Sequence, residues 1–369
     1  MLRKVFSILK ERFVHLRPYQ FAVGIITIIL LLIIGILTII LQVGQKTLPE
    51  QLAAMRWSQD KDCAQLSCFY STQAYVTEEE IDHLRYNLEQ KLKEQAIEPN
   101  TENARLYLDA YSARGQISVQ SDKKSIEVDA IGVGGDFFYF HPLTMLSGMY
   151  FSGDALMQDS VILDEEAAWQ LFGSNDIEGQ IVTIAGQQYR VAGVFERAQG
   201  DLETMAGNKD TTIYMFYPEL EKIAACSITC YEVVMPNPVK GFAFKVLSEA
   251  GVTDETMVKI VENSQRFSYE SFYNIWKNRA ARSMKTDDIV YPFWENLARV
   301  KEETLMEIAF WQCILSVIVI VYWGVAFMIF VIRHKPSGKD LVRAWEWCCE
   351  KIRLRLQQIK QERIRKKNT

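Results

Sequence analysis

Residues Gly134 to Glu196 read GGDFFYFHPLTMLSGMYFSGDALMQDSVILDEEAAWQLFGSNDIEGQIVTIAGQQYRVAGVFE, and the organisation of the chain follows from this stretch. Within it, the short apolar run Val161–Leu163 predicts a strand. The acidic residues Asp164–Glu166 follow it, which favours a helix start because the helix dipole places partial positive charge there. Gly173 is suited to end that helix in a left-handed conformation. The first half therefore predicts a strand that leads directly into a short helix.

The second half of the stretch alternates between apolar and polar residues. Gln180–Ile184 and Gln187–Phe195 both show this pattern, which is typical of strands with one buried face. Ala185 and Gly186 stand between them, and glycine supplies the positive φ that a two-residue hairpin turn requires. The pattern predicts a β-hairpin with Gly186 at its tip.

Several short motifs in this stretch occur in an order that is similar to one known family. They are Gly135-Asp136-Phe137-Phe138, Leu146–Phe151, Asp159–Leu163, Leu171-Phe172-Gly173, Glu178–Ile181 and Tyr189–Val194. By these residues the stretch resembles the extracytoplasmic core domain of MacB-like ABC-transporter permeases. The resemblance implies a porter-like base with an inserted lobe. It also implies an interaction or conformational module, without a catalytic nucleophile.

Two strand–helix–strand units flank the family-like stretch, near 66–111 and 230–262. In the first, Thr77 with Glu80 three residues later forms a capping-box pattern, which predicts a helix start. Further strands are expected at 105–111, 115–120 and 125–133. Two such units predict a split ferredoxin-like sheet. We therefore expect an α+β ectodomain at 42–307, with an inserted α/β lobe at about 134–225.

Two uncharged apolar runs, Phe21–Leu41 and Ile308–Ile332, lie on either side of this domain. They hold 21 and 25 residues, and about 20 apolar residues cross a bilayer as a helix. A cleavable signal peptide is the alternative for the first run, but the run lacks a small-x-small cleavage site. A buried core helix is the alternative for the second, but the basic residues that follow favour a span. Both runs are therefore interpreted as transmembrane helices.

Charge is divided sharply along the chain. Residues 1–20 carry a net charge of +4 and residues 333–369 carry +8, and because the whole chain carries −5, the segment 42–307 carries −17. Positive charge at the outer flanks of both spans predicts that both termini are cytoplasmic. The chain is thus expected in the cell membrane, with 42–307 outside.

The predicted topology places the seven cysteines in different compartments. Four would lie outside, where disulfides persist: Cys63, Cys68, Cys226 and Cys230. We expect a Cys68–Cys230 bridge because these residues lie on strands that are central neighbours in a ferredoxin-like sheet, with Cys63–Cys226 formed beside it. The local pairs Cys63–Cys68 and Cys226–Cys230 compete with this pairing. The spacing mimics a zinc site only loosely, so no metal is assigned.

Both ends of the chain have basic amphipathic character. The segment 1–20 predicts a helix on the inner membrane face, with an undistinguished juxtamembrane turn as the alternative. The tail 333–369 has apolar residues three or four apart, and anionic lipid is a better partner for it than nucleic acid. Candidate lipid or partner contacts are Arg3, Lys4, Arg12, Arg343, Trp345 and Arg353.

Motifs for catalysis are not found in the sequence. Ser337-Gly338-Lys339-Asp340 lacks the upstream glycine and the final hydroxyl of a Walker motif. Asp164–Glu166 could form an acid/base pair, but a solvated helix start is the better interpretation. The aromatic stripe at 267–282 is interpreted as core packing. No catalytic, cofactor or metal residue is assigned.

Two functions remain open. The first is a non-catalytic membrane subunit of a MacB-like ABC export or mechanotransmission system, whose ectodomain meets substrate or partner proteins outside. The family's usual permease has four spans and this sequence has two, so we expect it to associate with an ABC ATPase, a full permease subunit or a second copy. The alternative is a membrane-anchored sensor or scaffold that is not coupled to an ATPase.

The topology can be tested by labelling an Asn208→Cys variant in intact cells with a membrane-impermeant thiol reagent. We expect labelling at position 208 and protection of the tail, because the charge division places 42–307 outside. Protection at position 208 together with a labelled tail would contradict the predicted orientation.

Overall fold

The computed structural model describes residues 18–58, 62–97, 105–153, 155–198, 200–251, 256–278, 285–286, 288–334 and 350–351. These residues form two compact units. One unit, Ile39–Ala309, is called the ectodomain after the sequence prediction for 42–307, and the other contains the described parts of 1–38 and 310–369. Residues 1–17 of the predicted amphipathic segment 1–20 and most of the predicted tail helix lie outside the described residues.

The helices are α1 (Pro18–Gly44), α2 (Ala53–Trp57), α3 (Glu78–Glu94), α4 (Phe137–Phe140), α5 (Glu165–Phe172), α6 (Asp201–Ala206), α7 (Tyr217–Ala224), α8 (Phe242–Ala250), α9 (Tyr269–Lys277) and α10 (Phe293–His334). The strands are β1 (Cys63–Tyr70), β2 (Leu108–Gln120), β3 (Ser125–Gly135), β4 (Thr144–Gly148), β5 (Ser160–Asp164), β6 (Ile181–Ile184), β7 (Gln187–Glu196), β8 (Thr212–Phe216), β9 (Cys230–Pro236), β10 (Val258–Glu262), β11 (Lys285–Thr286) and β12 (Ile289–Val290). Short 3-10 turns occur at Pro49–Gln51, Thr72–Ala74 and Asn263–Gln265.

The base of the ectodomain is a ferredoxin-like sheet. Its strands lie in the order β10-β1-β9-β2, and each pairs antiparallel with its neighbour. The two strand–helix–strand units, β1-α3-β2 and β9-α8-β10, therefore interleave as this fold requires. The α+β fold predicted from the sequence is confirmed.

The strands from β3 to β8 extend the same sheet. β3 pairs with β2 from Gln120↔Ser125 to Ala110↔Gly135. The order then continues β3-β8-β5-β7-β4, with β6 pairing to β2 and β7. The four strands of the base and the strands from β3 to β8 therefore form one hydrogen-bonded sheet, joined through the long β2–β3 hairpin.

The observed bounds of strand β2 differ from the sequence prediction. The sequence predicted separate strands at 105–111 and 115–120, but the structure has a single strand, Leu108–Gln120. Gly115 lies within it because helix α7 packs close by: an added Cβ would stand 2.8 Å from the Cβ of Ala224. The glycine marks a close approach of helix and strand, which is a common reason for glycine inside a strand.

Packing on the first face of the base follows the amphipathic pattern of its helices. The α3 residues Ile81, Leu84, Leu88 and Leu92 are buried together with the inner side of α8. The predicted capping box is present, since the Glu80 carboxylate accepts a hydrogen bond from Thr77 N at 2.9 Å and Thr77 Oγ1 accepts one from Glu80 N at 3.5 Å. The opposite face holds a second, aromatic core that includes Phe137, Phe140 and Trp294.

Helix α5 begins and ends at signals that the sequence displays. Asp164 caps its start by accepting hydrogen bonds from Ala167 N at 2.7 Å and Thr212 N at 2.9 Å. It is fully buried, so the expected solvated helix start is wrong at this residue. Burial raises the pKa of Asp164, although these hydrogen bonds and Arg197 act against the increase.

Both predicted glycine turns have positive φ angles. Gly173 ends α5 with a φ of 73° and donates its N–H to Trp169 O at 3.0 Å. Ala185 and Gly186, with φ of 49° and 82°, form the two-residue turn between β6 and β7. Two consecutive positive φ angles are what a tight hairpin turn requires.

Two described helices are long and apolar enough to cross a membrane. Phe21–Gly44 has a mean hydropathy of 3.2 over its most apolar window, and Phe293–Arg333 has 2.7. Within the smaller unit, Gln312 Nε2 donates to Thr38 Oγ1 at 2.7 Å, which is a polar contact between the two helices.

A Gly173→Val substitution tests the helix end. A Cβ added at Gly173 would meet nothing within 4 Å, so the cost comes from the positive φ alone and should be about 1–2 kcal/mol. The measurement is the thermal unfolding of the full chain in detergent. Gly251→Ala is the matched control, because Gly251 also follows a helix but has a φ of −60°. Equal melting temperatures for both variants would contradict the assignment.

Candidate functional site

Among the described residues of the ectodomain, Arg266 is the buried charge with the most partners. It follows the 3-10 turn at Asn263–Gln265 and is 4% exposed. Its Nε donates to Glu302 Oε1 at 2.6 Å and its Nη1 donates to Glu295 Oε2 at 2.7 Å, while Nη2 donates to the other Glu295 oxygen. The guanidinium thus binds two carboxylates of helix α10 through three of its nitrogen atoms.

Helical spacing explains why one arginine can reach both carboxylates. Glu295 and Glu302 are seven residues apart, which is about two helical turns, so they lie on the same face of α10. Both side chains are buried, as is Arg266. Burial alone would lower the pKa of Arg266, but the two carboxylates raise it further than burial lowers it. The three charges depend on one another, because an unpaired charge in this position would be costly.

Arg266 also contacts the segment that follows helix α1. Its Nη1 donates to Gln51 Oε1 at 3.2 Å and to Asn263 Oδ1 at 3.3 Å. Gln51 belongs to the turn Pro49–Gln51, shortly after α1 ends. One side chain therefore joins the chain leaving α1 to the first turns of α10.

The hydrogen bonds continue from Arg266 across the sheet. Asn263 Nδ2 donates to Ser67 Oγ at 2.7 Å, and Ser67 Oγ donates to Glu232 Oε1 at 2.9 Å. Ser67 and Glu232 stand directly opposite each other on β1 and β9. The other Glu232 oxygen pairs with His141 Nε2, at the end of α4. We call this connected set the buried polar chain: His141, Glu232, Ser67, Asn263, Arg266, Glu295 and Glu302.

The far end of the buried polar chain returns to helix α10. The His141 ring packs against both Phe137 and Trp294, with its centroid 4.5 Å from the centroid of each. Trp294 directly precedes Glu295 in α10. Helix α10 therefore contacts the buried polar chain at both of its ends, at His141 and at Arg266. The buried polar chain therefore connects the end of α4, the central strands β1 and β9, and the start of α10.

This arrangement positions elements and does not resemble a hydrolytic site. A catalytic triad places the histidine between the serine and the acid. Here the order is Ser67–Glu232–His141, with the acid in the middle. All three side chains are also buried away from solvent. The groups can transmit displacement between elements, because each is held by directional hydrogen bonds to the next.

Two of the cavities in the described part of the ectodomain border the core. One of about 30 Å³ lies beside Phe293 and Trp294 and can hold a single water. The other, about 330 Å³, lies between α3, α8 and β10 and is lined by residues that include Leu84, Leu247 and Cys68. Burial raises the pKa of the Cys68 thiol to about 12. The thiol therefore stays protonated, which gives no support for nucleophilic chemistry there.

The expected disulfides do not form in the structure, where Cys63, Cys68, Cys226 and Cys230 are free thiols. Cys68 pairs in register with Tyr231, and Cys230 pairs with Phe69. Successive residues of a strand point to opposite faces, so Cys68 joins the first core and Cys230 the second. The one-residue offset separates the two sulfurs and makes the predicted Cys68–Cys230 pairing wrong.

The second expected pairing, Cys63–Cys226, fails for a different reason. Cys63 is opposite Pro236 at one end of the β1–β9 pair, while Cys226 precedes the other end. Pro236, the partner of Cys63, lies six strand positions from Cys230, or roughly 20 Å, and Cys226 comes four residues before Cys230. The two strand–helix–strand units of the base are held together by the antiparallel pairing of β1 with β9 and by core packing, without the expected disulfide.

Two of the remaining sequence-predicted residues lie in described turns and do not belong to the buried polar chain. Gly173 ends helix α5, and Gly186 lies in the turn between β6 and β7. Arg3, Lys4, Arg12, Arg343, Trp345 and Arg353 lie outside the described residues, and their contacts remain predictions.

Sequence reasoning missed the buried polar chain. A usable signal was present in α10, since Glu295 and Glu302 share a face with Ala298 and Leu305, which are buried. Acidic residues on an apolar helix face indicate buried partners. The identity of the partner could not be read, because Arg266 lies 29 and 36 residues from the two glutamates.

Comparison with known proteins places the chain near one family. The profile of the MacB-like periplasmic core domain matches residues 21–255. The periplasmic region of MacB from Actinobacillus actinomycetemcomitans is similar with 15% identity and a TM-score of 0.38, covering 59% of this chain and 94% of that chain. The extracellular domain of the noncanonic ABC-type transporter YknZ from Gram-positive bacteria is similar with 14% identity and a TM-score of 0.35, covering 53% and 99%. No curated protein sequence matches the chain.

An Arg266→Ala substitution removes the residue of the buried polar chain that has the most hydrogen-bond partners. It would leave Glu295 and Glu302 buried without their cation, and we expect a loss of about 3–5 kcal/mol in unfolding free energy. The measurement is denaturant unfolding of the full chain in detergent. Lys245→Ala is the control, because the Lys245–Glu249 pair is exposed and such pairs contribute little.

A double-mutant cycle that combines Arg266→Ala with Glu302→Ala measures the interaction energy of this pair separately from other losses of stability. If the Arg266–Glu302 pair acts as described, the double variant should lose less stability than the two single variants combined. Strict additivity would contradict a direct interaction.

Proposed function

The chain belongs to the family with a MacB-like periplasmic core domain, and from this premise we propose that it is a non-catalytic membrane subunit of an ABC export or mechanotransmission system. In this proposal the ectodomain contacts substrate or partner proteins outside the membrane. The ATPase is a separate protein on the cytoplasmic side.

The observation that carries this proposal is helix α10. It runs from Phe293 to His334 as one helix, and its first turns are buried in the ectodomain through Trp294 and Glu295. The buried polar chain connects this helix to the sheet and to His141. A displacement of the ectodomain on binding would therefore pull on a helix that continues toward the basic tail.

The outer edge of the sheet offers a contact surface for such a partner. β4 is an edge strand, and exposed apolar side chains lie on it and shortly after it: Leu146, Met149, Tyr150, Leu156 and Met157. Clusters of exposed apolar side chains are typical of interaction sites. We propose that substrate or a partner protein binds at this edge.

The proposed orientation follows the charge division. The basic segments 1–20 and 333–369 would lie in the cytoplasm, and the acidic ectodomain would lie outside. Arg3, Lys4, Arg12, Arg343, Trp345 and Arg353 would contact anionic lipid or the inner partner. A full permease subunit or a second copy of this chain would complete the membrane assembly.

Affinity purification of the tagged full chain from its native membranes tests the proposal. We expect an ABC ATPase to be recovered in a fixed ratio to the chain, and its ATP hydrolysis to depend on the chain. Glu302→Gln should keep the ATPase bound but weaken that dependence, because it removes one charge partner of Arg266 without removing volume. Lys245→Ala serves as the matched control.

A photo-reactive amino acid at Met149 provides the second readout. Met149 is exposed beside the β4 edge, while Lys123 is exposed at the β2–β3 turn and serves as the control position. We expect crosslinks to substrate or partner protein at position 149 above those at 123. Recovery of the chain without any ATPase would contradict the proposal and favour the membrane-anchored sensor or scaffold.

A further inference from the structure

Helix α9 has one face that the ectodomain core does not use. Phe272 and Ile275 are buried, as the sequence interpretation of this aromatic stripe as core packing requires. Tyr269, Tyr273 and Trp276 are instead 58%, 62% and 58% exposed, so the core-packing interpretation is wrong for these three residues of the stripe. These three residues are four and three positions apart, so they form one continuous aromatic face on the helix.

The buried face of α9 identifies where this helix lies. Phe272 and Ile275 pack with Leu41, Leu305, Met306 and Ala309. Leu41 belongs to the apolar run Phe21–Gly44, and Ala309 lies in the uncharged run 308–332. Gln45 Nε2 also donates to Phe267 O at 3.1 Å, just before α9. Helix α9 therefore packs on the segments at which both apolar helices join the ectodomain.

The chemistry of the exposed face fits a membrane surface. Tyr and Trp concentrate at the boundary between headgroups and acyl chains, because their rings are apolar but carry a polar group. Lys277 at the end of α9 is exposed and can approach a lipid phosphate. Glu270, the acidic residue of the helix, pairs with Lys240 at 2.7 Å, so its charge is compensated.

We propose that α9 is an interfacial helix that lies on the extracytoplasmic leaflet, with Tyr273 and Trp276 inserted among phospholipid headgroups. The occupant of the aromatic face is the lipid bilayer surface. This inference requires that α1 and α10 span the membrane, and it does not depend on an ATPase partner. The helix would fix the height of the ectodomain above the bilayer at the point where both spans emerge.

The test uses the full chain in nanodiscs of phosphatidylcholine and phosphatidylglycerol. A benzophenone-bearing phenylalanine replaces Tyr273 in one variant and Tyr86 in the other. Tyr86 is the matched control, because it is also a helical tyrosine and is 63% exposed, compared with 62% for Tyr273. After irradiation, lipid adducts and crosslinked chains are measured by mass spectrometry.

We expect lipid adducts at position 273 to exceed those at position 86 by about tenfold, because only the first would lie within the headgroup layer. A crosslinked dimer of the chain through position 273 would overturn the proposal and make this face an interface between copies. Lipid adducts no more frequent at 273 than at 86 would also overturn it.

Discussion

The pairing of Arg266 with Glu295 and Glu302 is the constraint on which the architecture depends. A buried guanidinium must be matched by carboxylates and hydrogen-bond acceptors, or the folded state loses several kcal/mol. The matching groups come from the turn after α1 and from the start of α10. The position of the first turns of α10 against the sheet is therefore fixed by directional bonds, whereas apolar packing alone tolerates small shifts.

Local patterns predicted the elements of the fold well. The capping box at Thr77, the buried stripe of α3 and the glycine at the end of α5 each depend on residues within a few positions of one another. The β1–β9 register could not be predicted in the same way. Seven of the eight residues of β1 are buried, so the strand lacks the alternation that would identify its faces. The expected Cys68–Cys230 bridge was wrong for that reason.

The buried polar chain could not be assembled from the sequence, because its bonds join residues that are far apart. Ser67 lies 165 residues from Glu232 and 196 from Asn263. A serine, an asparagine and a histidine in strands and turns are each common at exposed positions. Their burial becomes visible only when the strands are ordered, which places β1 between β9 and β10.

That central position of β1 also has a consequence for biosynthesis. Both neighbours of β1 are made late, since β9 and β10 begin at Cys230 and Val258. During synthesis, β1 must wait for roughly 160 further residues with both edges open, and long-range strand pairing of this kind is slow. A chain held at the membrane by α1 would keep that unpaired strand close to the site where its partners emerge. Anchoring before folding would shorten the search for them and limit pairing with strands of other chains.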